Sequence, residues 1–121
     1  MDELELGSRF LDALGTAAQT GDREPLYGFL APDIEWEMPQ RALHGIDEVR
    51  EGLTWVRPMR DLDVEFERGD LQRLDDGRLS VDVHETYRLA TTREFAFERE
   101  RRIELTIRES RIVRYEMRIV G

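Results

Sequence analysis

Cysteine is absent from the 121 residues, and so are lysine and asparagine. Without cysteine there is no disulfide, no thiolate metal ligand and no thiol nucleophile. Without lysine there is no Schiff base to a carbonyl substrate. All 18 basic residues are therefore arginine, the kind of bias a GC-rich bacterial genome imposes. Histidine is nearly missing too: with only His44 and His84 and no HExxH or comparable spacing, a zinc site would need carboxylate help, and no metal is expected. Basic charge is in the minority, because 27 acidic residues leave a net charge of −9. Nucleic acid and anionic membrane surfaces are accordingly poor partners. Apolar runs fall far short of the about 20 residues of a membrane span. The acidic start Met-Asp-Glu-Leu-Glu-Leu lacks the build of a signal peptide, so a cytoplasmic location is expected. The length suits one domain over 1–121 with a real core.

What is present centres on Phe95 to Ile107. Successive strand residues face opposite ways, which puts Phe95, Phe97, Arg99, Arg101, Ile103, Leu105 and Ile107 on one side. Glu98, Glu100, Arg102 and Glu104 fall on the other side, as a solvated ladder with cross-strand partners such as Arg88. Arg99 and Arg101 share parity with the apolar set. Either the strand bulges or the guanidiniums snorkel past its rim, or it lines a cavity holding cationic groups.

Elsewhere, apolar residues at helical spacing predict a helix over 2–19, ended by Gly21-Asp22, and a second over 23–30, stopped by Ala31-Pro32-Asp33. Alternation predicts a strand over 34–39 and a loop over 40–45 follows, then a third helix runs from Ile46 to about Val56 with Pro58 closing it. Strands follow over 62–66 with a continuation over 71–74, and over 79–89, 95–107 and 112–120. Three helices with one strand among them, then a run of antiparallel strands, is the α+β class.

Four pieces in this order resemble the nuclear-transport-factor-2-like superfamily, and within it the SnoaL-like polyketide cyclases and ketosteroid isomerases. They are Gly21-Asp22, the run from Leu30 to Pro39, the run from Leu43 to Arg50, and Arg111-Ile112-Val113. The resemblance implies a mostly antiparallel curved sheet wrapped as a cone around the helices, an internal apolar pocket for a small hydrophobic molecule, and a homodimer formed through the sheet. Catalytic residues are carried over one position at a time. The isomerase base position is Met38, its helix tyrosine position is Leu14, and no inward acid stands near Arg99 to Ile103 for the second Asp. The final-strand acid of limonene epoxide hydrolase falls on Met117, and its Arg-x-Asp pair finds no match around His84-Glu85-Thr86-Tyr87. Neither acid–base set is therefore present, since a thioether cannot take a proton.

Glu85 is the candidate that remains, because it interrupts the inward series Leu79, Val81, Val83, Tyr87 and Leu89. With Leu89 opposite Phe95, Glu85 stands opposite Arg99; a hairpin two residues shorter puts it opposite Phe97, with Arg99 on the diagonal. Either register allows Glu85 and Arg99 to act as catalytic base or acid and anion stabiliser, with Arg101 near the mouth. Beside arginine the carboxylate is expected to be ionised. A structural salt bridge is the competing reading. Leu14, Trp36, Met38, Trp55, Tyr87, Phe97, Tyr115 and Met117 are candidate pocket lining, equally suited to plain core. Tyr27 reads as packing, His44 as a solvated residue at the start of a helix, and His84 as an outer-face residue. Two functions stay open: cofactor-free isomerase, cyclase, dehydratase or hydrolase chemistry on a hydrophobic carbonyl compound, or a noncatalytic ligand-binding or dimeric interaction domain.

Overall fold

Helix α1 (Glu3–Thr20) starts where the Asp2 carboxylate accepts the Glu5 amide at 2.7 Å. Glu3 and Glu5 in its first turn complement the positive end of the helix dipole. It ends on Gly21, whose φ of 83° is the left-handed conformation that suits glycine and whose N–H closes on the Ala17 carbonyl at 2.8 Å. Between those caps the stripe of Leu6, Phe10, Leu11, Leu14 and Ala17 is buried. The computed structural model of the chain describes residues 1–53 and 61–120, and among these it has three helices and seven strands.

After α1 come α2 (Glu24–Tyr27), β1 (Leu30–Met38), β2 (Arg41–His44) and α3 (Gly45–Gly52). The remaining strands are β3 (Leu62–Arg68), β4 (Gln72–Arg73), β5 (Leu79–Leu89), β6 (Phe95–Arg108) and β7 (Arg111–Ile119). They form one curved, unclosed sheet in the order β2-β1-β7-β6-β5-β3, with β4 added to β5. The pairing of β1 with β7 is parallel, and the others are antiparallel. The inner side chains of β1, β5, β6 and β7 close on α1 to make the core, with Trp36, Phe10, Tyr115, Ile103 and Leu105 fully buried.

Several boundaries differ from the sequence expectation, each for a tertiary reason. Helix α2 stops at Tyr27 because Leu30 and Ala31 are drawn into β1, where Leu30 pairs with Ile112 of β7. Ala31-Pro32-Asp33 is therefore part of a strand rather than a helix stop. The expected loop over 40–45 contains β2, which folds back on β1 with Trp36 opposite Leu43. Helix α3 ends at Gly52, and Trp55, Val56 and Pro58 lie outside the described residues. Between β5 and β6 the register shifts at Ala96, so Phe95 pairs with Arg88 rather than Leu89 and does not continue the Phe97 series.

The approach of α1 to β3 is set by Gly15. A Cβ there would stand 2.8 Å from Cδ1 of Phe66, closer than side chains pack. Gly15→Val should lower the unfolding free energy by about 1–3 kcal/mol through this overpacking. Gly28→Ala, where the nearest atom is 4.0 Å away and φ is −65°, should change it by less than about 1 kcal/mol. Urea denaturation checks both, and a Gly15→Val midpoint equal to wild type would contradict the packing described.

Candidate functional site

Along β5 the inward residues Leu79, Val81, Val83, Glu85 and Tyr87 are all buried, so the single carboxylate sits in an apolar row. The β5–β6 register sets Glu85 opposite Arg99, Val83 opposite Arg101 and Tyr87 opposite Phe97. Glu85 thus stands opposite Arg99 as in the first of the two alignments, although the shift at Ala96 leaves Phe95 opposite Arg88 rather than Leu89. Glu85 is 1% exposed, and its Oε1 receives the Arg99 Nε–H at 2.8 Å. Arg101 Nε lies 2.9 Å from the same oxygen. Arg99 Nη2 also donates to the Tyr87 hydroxyl at 3.1 Å, and its guanidinium carbon lies 5.6 Å from that ring's centre.

Depth distinguishes the two arginines. Arg101 is 1% exposed, so it is neither snorkelling nor near the mouth as expected; Arg99 occupies that outer position, with 34% of its side chain exposed. Beyond it Tyr87 stacks on Phe97 with centroids 4.4 Å apart and planes 15° apart. Phe97 itself is 39% exposed, so it forms an apolar shelf rather than core.

The deeper wall comes from β1 and β7. Trp36 and Tyr115 are register partners whose rings stack at 3.7 Å and 14°. Phe10 of α1 meets both edge-on. Both residues are fully buried, yet neither the Trp36 Nε1–H nor the Tyr115 hydroxyl has a hydrogen-bond partner among the described residues. Leu14 packs in the same core, Met117 stands opposite Ile103, and Met38 is half-buried against it. Thus Glu85, Arg99, Arg101, Tyr87 and Phe97 come together on β5 and β6, and Leu14, Trp36, Met38, Tyr115 and Met117 form the adjoining core. Trp55 falls outside the described residues.

Burial raises the Tyr87 hydroxyl, and the Glu85 charge adds to that against Arg99 and Arg101. For Arg99 burial pulls downward, but the charge and hydrogen bond of Glu85 outweigh it and the guanidinium ends above its usual range. Tyr115 is pushed up to about 12, by burial first. Arg101 and Arg99 oppose this and the Glu85 charge supports it, so the phenol lies within the field of the ionic cluster.

The outer face also departs from expectation. Glu104 is 7% exposed rather than solvated, held by Arg78 and, at 2.6 Å, by Arg118. Arg88 pairs with Glu65 of β3 at 2.9 Å rather than with β6. His84 does face outward, between Glu100 at 3.3 Å and Glu98 at 3.1 Å. No strand-parity signal separates Glu104 from its neighbours; its burial follows from Arg78, just past the Asp75-Asp76-Gly77 turn, reaching across to it.

A curved sheet around an N-terminal helix, with an ionic cluster set among apolar and aromatic side chains, defines a cone-type α+β protein with an internal polar site. The SnoaL-like domain profile matches residues 8–115, and the chain belongs to that family. Nothing among curated protein sequences matches it. Solved structures share the fold at low identity. A nuclear-transport-factor-2-like protein from Anabaena variabilis is 10% identical with a TM-score of 0.77, covering 98% of this chain and 89% of its own. A protein assigned as a polyketide cyclase from Pseudomonas putida is 14% identical with a TM-score of 0.73, covering 98% and 91%. TerC, co-crystallised with polyporic acid, is 17% identical with a TM-score of 0.69, covering 95% and 92%.

The raised Tyr115 value carries a pH prediction. Its unfolded reference is 10.0 and its folded value about 12, so between these the native state holds a proton that the unfolded chain releases. The stabilisation is complete below about pH 10 and is lost as pH rises to about 12. The loss should be on the order of 2–3 kcal/mol. Tyr115→Phe should remove that part of the alkaline loss while keeping neutral stability at or above wild type. Urea unfolding at neutral pH and across the alkaline range checks this; identical alkaline slopes in the two proteins would count against it.

Proposed function

We propose that the inner face binds a small hydrophobic carbonyl compound and carries cofactor-free acid–base chemistry on it, with Glu85 as base and Arg99 stabilising the developing negative charge. The observation that carries this reading is a buried carboxylate held by two arginines in an otherwise apolar and aromatic wall. Arg99 is the partly exposed member of that set, next to the Phe97 shelf where a ring could lie. Neighbours assigned as polyketide cyclases and isomerases, and the presence of polyporic acid in TerC, are consistent with this class of ligand. The reaction would be proton transfer at the carbon next to the carbonyl: Glu85 takes the proton, the C–H electron pair passes to the carbonyl oxygen as enolate, and the acid returns a proton.

The probe is β-tetralone in deuterium oxide, followed by NMR. Wild type should accelerate exchange of its α-protons, and Glu85→Gln should lower the rate to that of buffer while changing affinity no more than a few-fold. Because Glu85 also faces the buried Arg101, the variant should lose about 3–5 kcal/mol of stability. The comparison is therefore made at low temperature, with circular dichroism verifying the fold. Binding without exchange by wild type would favour the noncatalytic reading, and no binding would reject both.

A second copy of this chain is the partner that the family resemblance suggests, met through the sheet. The outer face supports this only as a polar contact, since it presents Glu98, Glu100, Arg102, Arg114 and Arg118. Light scattering at micromolar concentration should give the dimer mass at low salt and a falling mass as salt screens the surface charges. A monomer mass at low salt would remove the dimer.

A further inference from the structure

We propose that the start of β6, from Phe95 to Arg99, is a docking edge that takes up an extended peptide segment of alternating basic and apolar residues as an added strand. The inference is independent of the ligand-binding reading above.

Strand β6 begins at Phe95, but its pairing with β7 begins only at Arg101, opposite Ile119. The bond nearest the open end runs from the Val120 N–H to the Glu100 carbonyl at 3.0 Å. Backbone groups of successive residues point to opposite edges of a strand, and no register shift falls between Phe97 and Glu100. The Glu98 N–H and C=O therefore point the same way as those of Glu100, into the lane that β7 has left. Among the described residues no strand pairs with β6 there. An open stretch of edge of this kind is a template for one more strand.

The side chains around it define what that strand must carry. On the inner face Phe97 and Ile119 are exposed and offer apolar contact. On the outer face Glu98 and Glu100 are exposed, with His84 between them and Glu67 opposite His84. A strand that is apolar on one face and basic on the other meets both conditions with the period of two that a strand has. A second copy of β6 would instead bring its own Glu98 alongside, and the net charge of −9 also favours a basic partner over a copy. The terminal strands of the sheet are less suited. Strand β2 carries Arg41 and His44, and on β3 Asp63 and Glu65 are already bound by Arg93 and Arg88.

The probe is the heptapeptide acetyl-Lys-Val-Lys-Val-Lys-Val-Lys-amide, titrated at low salt into the full chain labelled with nitrogen-15, with Glu in place of every Lys as the control. The basic peptide should bind at least about tenfold tighter than the acidic one and lose affinity as salt is added. In the complex the Glu98 amide should exchange with deuterium oxide at least about tenfold more slowly, while the Phe97 and Arg99 amides, which face β5, are unchanged. Glu98→Gln should weaken binding about three- to fivefold through the lost charge. Glu98→Pro, which also removes the edge N–H, should weaken it at least about tenfold, with circular dichroism verifying the fold. Equal binding of the two peptides, or no binding of the basic one, overturns the proposal. Binding that leaves Glu98 exchange unchanged is a contact of side-chain charges alone and overturns it too. Slow Glu98 exchange in the free protein with a dimer mass by light scattering assigns the edge to a second copy, again against the proposal. The exchange arm uses only wild type and holds if Glu98→Pro fails to fold.

Discussion

Everything on the inner face depends on one oxygen atom, Oε1 of Glu85, on which Arg99 and the fully buried Arg101 both close. A buried guanidinium is tolerable only where a carboxylate of matching depth faces it. That condition fixes the pairing of β5 with β6. A slip of β6 by one residue would turn Arg99 and Arg101 outward and carry Glu98, Glu100, Arg102 and Glu104 inward, leaving Glu85 facing an excess of carboxylate. The aromatic shelf of Tyr87 and Phe97 and the apolar floor of Val81 and Ile103 are thereby placed at fixed distances from the charge.

The opposite face of the same strands obeys the same rule with different consequences. His84 lies between Glu98 and Glu100, Arg102 meets Asp82 at 3.0 Å, and Glu104 is held by Arg78 and Arg118. The pairs of His84 and Arg102 lie largely in solvent, so each contributes little and salt weakens it, whereas Glu104 is buried. Their effect is on specificity, because opposite charges match across strands only in the native register. The inner triad and the outer ladder therefore specify one alignment from both sides of the sheet.

Alternation made most of this legible. The odd parity of Arg99 and Arg101 and the interruption at Glu85 located the ionic cluster, since a period of two survives whatever the sheet packs against. Depth was not legible: strand parity is the same for both arginines, and only the taper of the sheet makes Arg101 buried and Arg99 half-exposed. The parallel β1–β7 pairing and the four-residue β2 also escaped notice, because both form by pairing with strands distant in sequence or too short to show a period. Leu30 illustrates the competition. Its spacing with Leu26 suits a helix, yet pairing with Ile112 assigns it to a strand. The bulge at Ala96 left no sequence signal, since Phe-Ala-Phe alternates whether or not the register shifts.

The polar groups of the inner face are of two kinds, and the difference bears on function. Glu85, Arg99 and Tyr87 satisfy one another, so this part of the site persists without any ligand and can equally serve to set register. Trp36 and Tyr115 gain nothing comparable from the fold. Phenylalanine in place of Tyr115 would keep the ring and remove an unpaired donor, which makes that hydroxyl hard to explain by stability alone, whereas at Trp36 it would open a cavity. Both kinds lie on the same inner face, and Arg101, Glu85 and Arg99 all act on the Tyr115 phenol, so a change of charge in the ionic cluster alters the proton affinity of a group held by a different pair of strands.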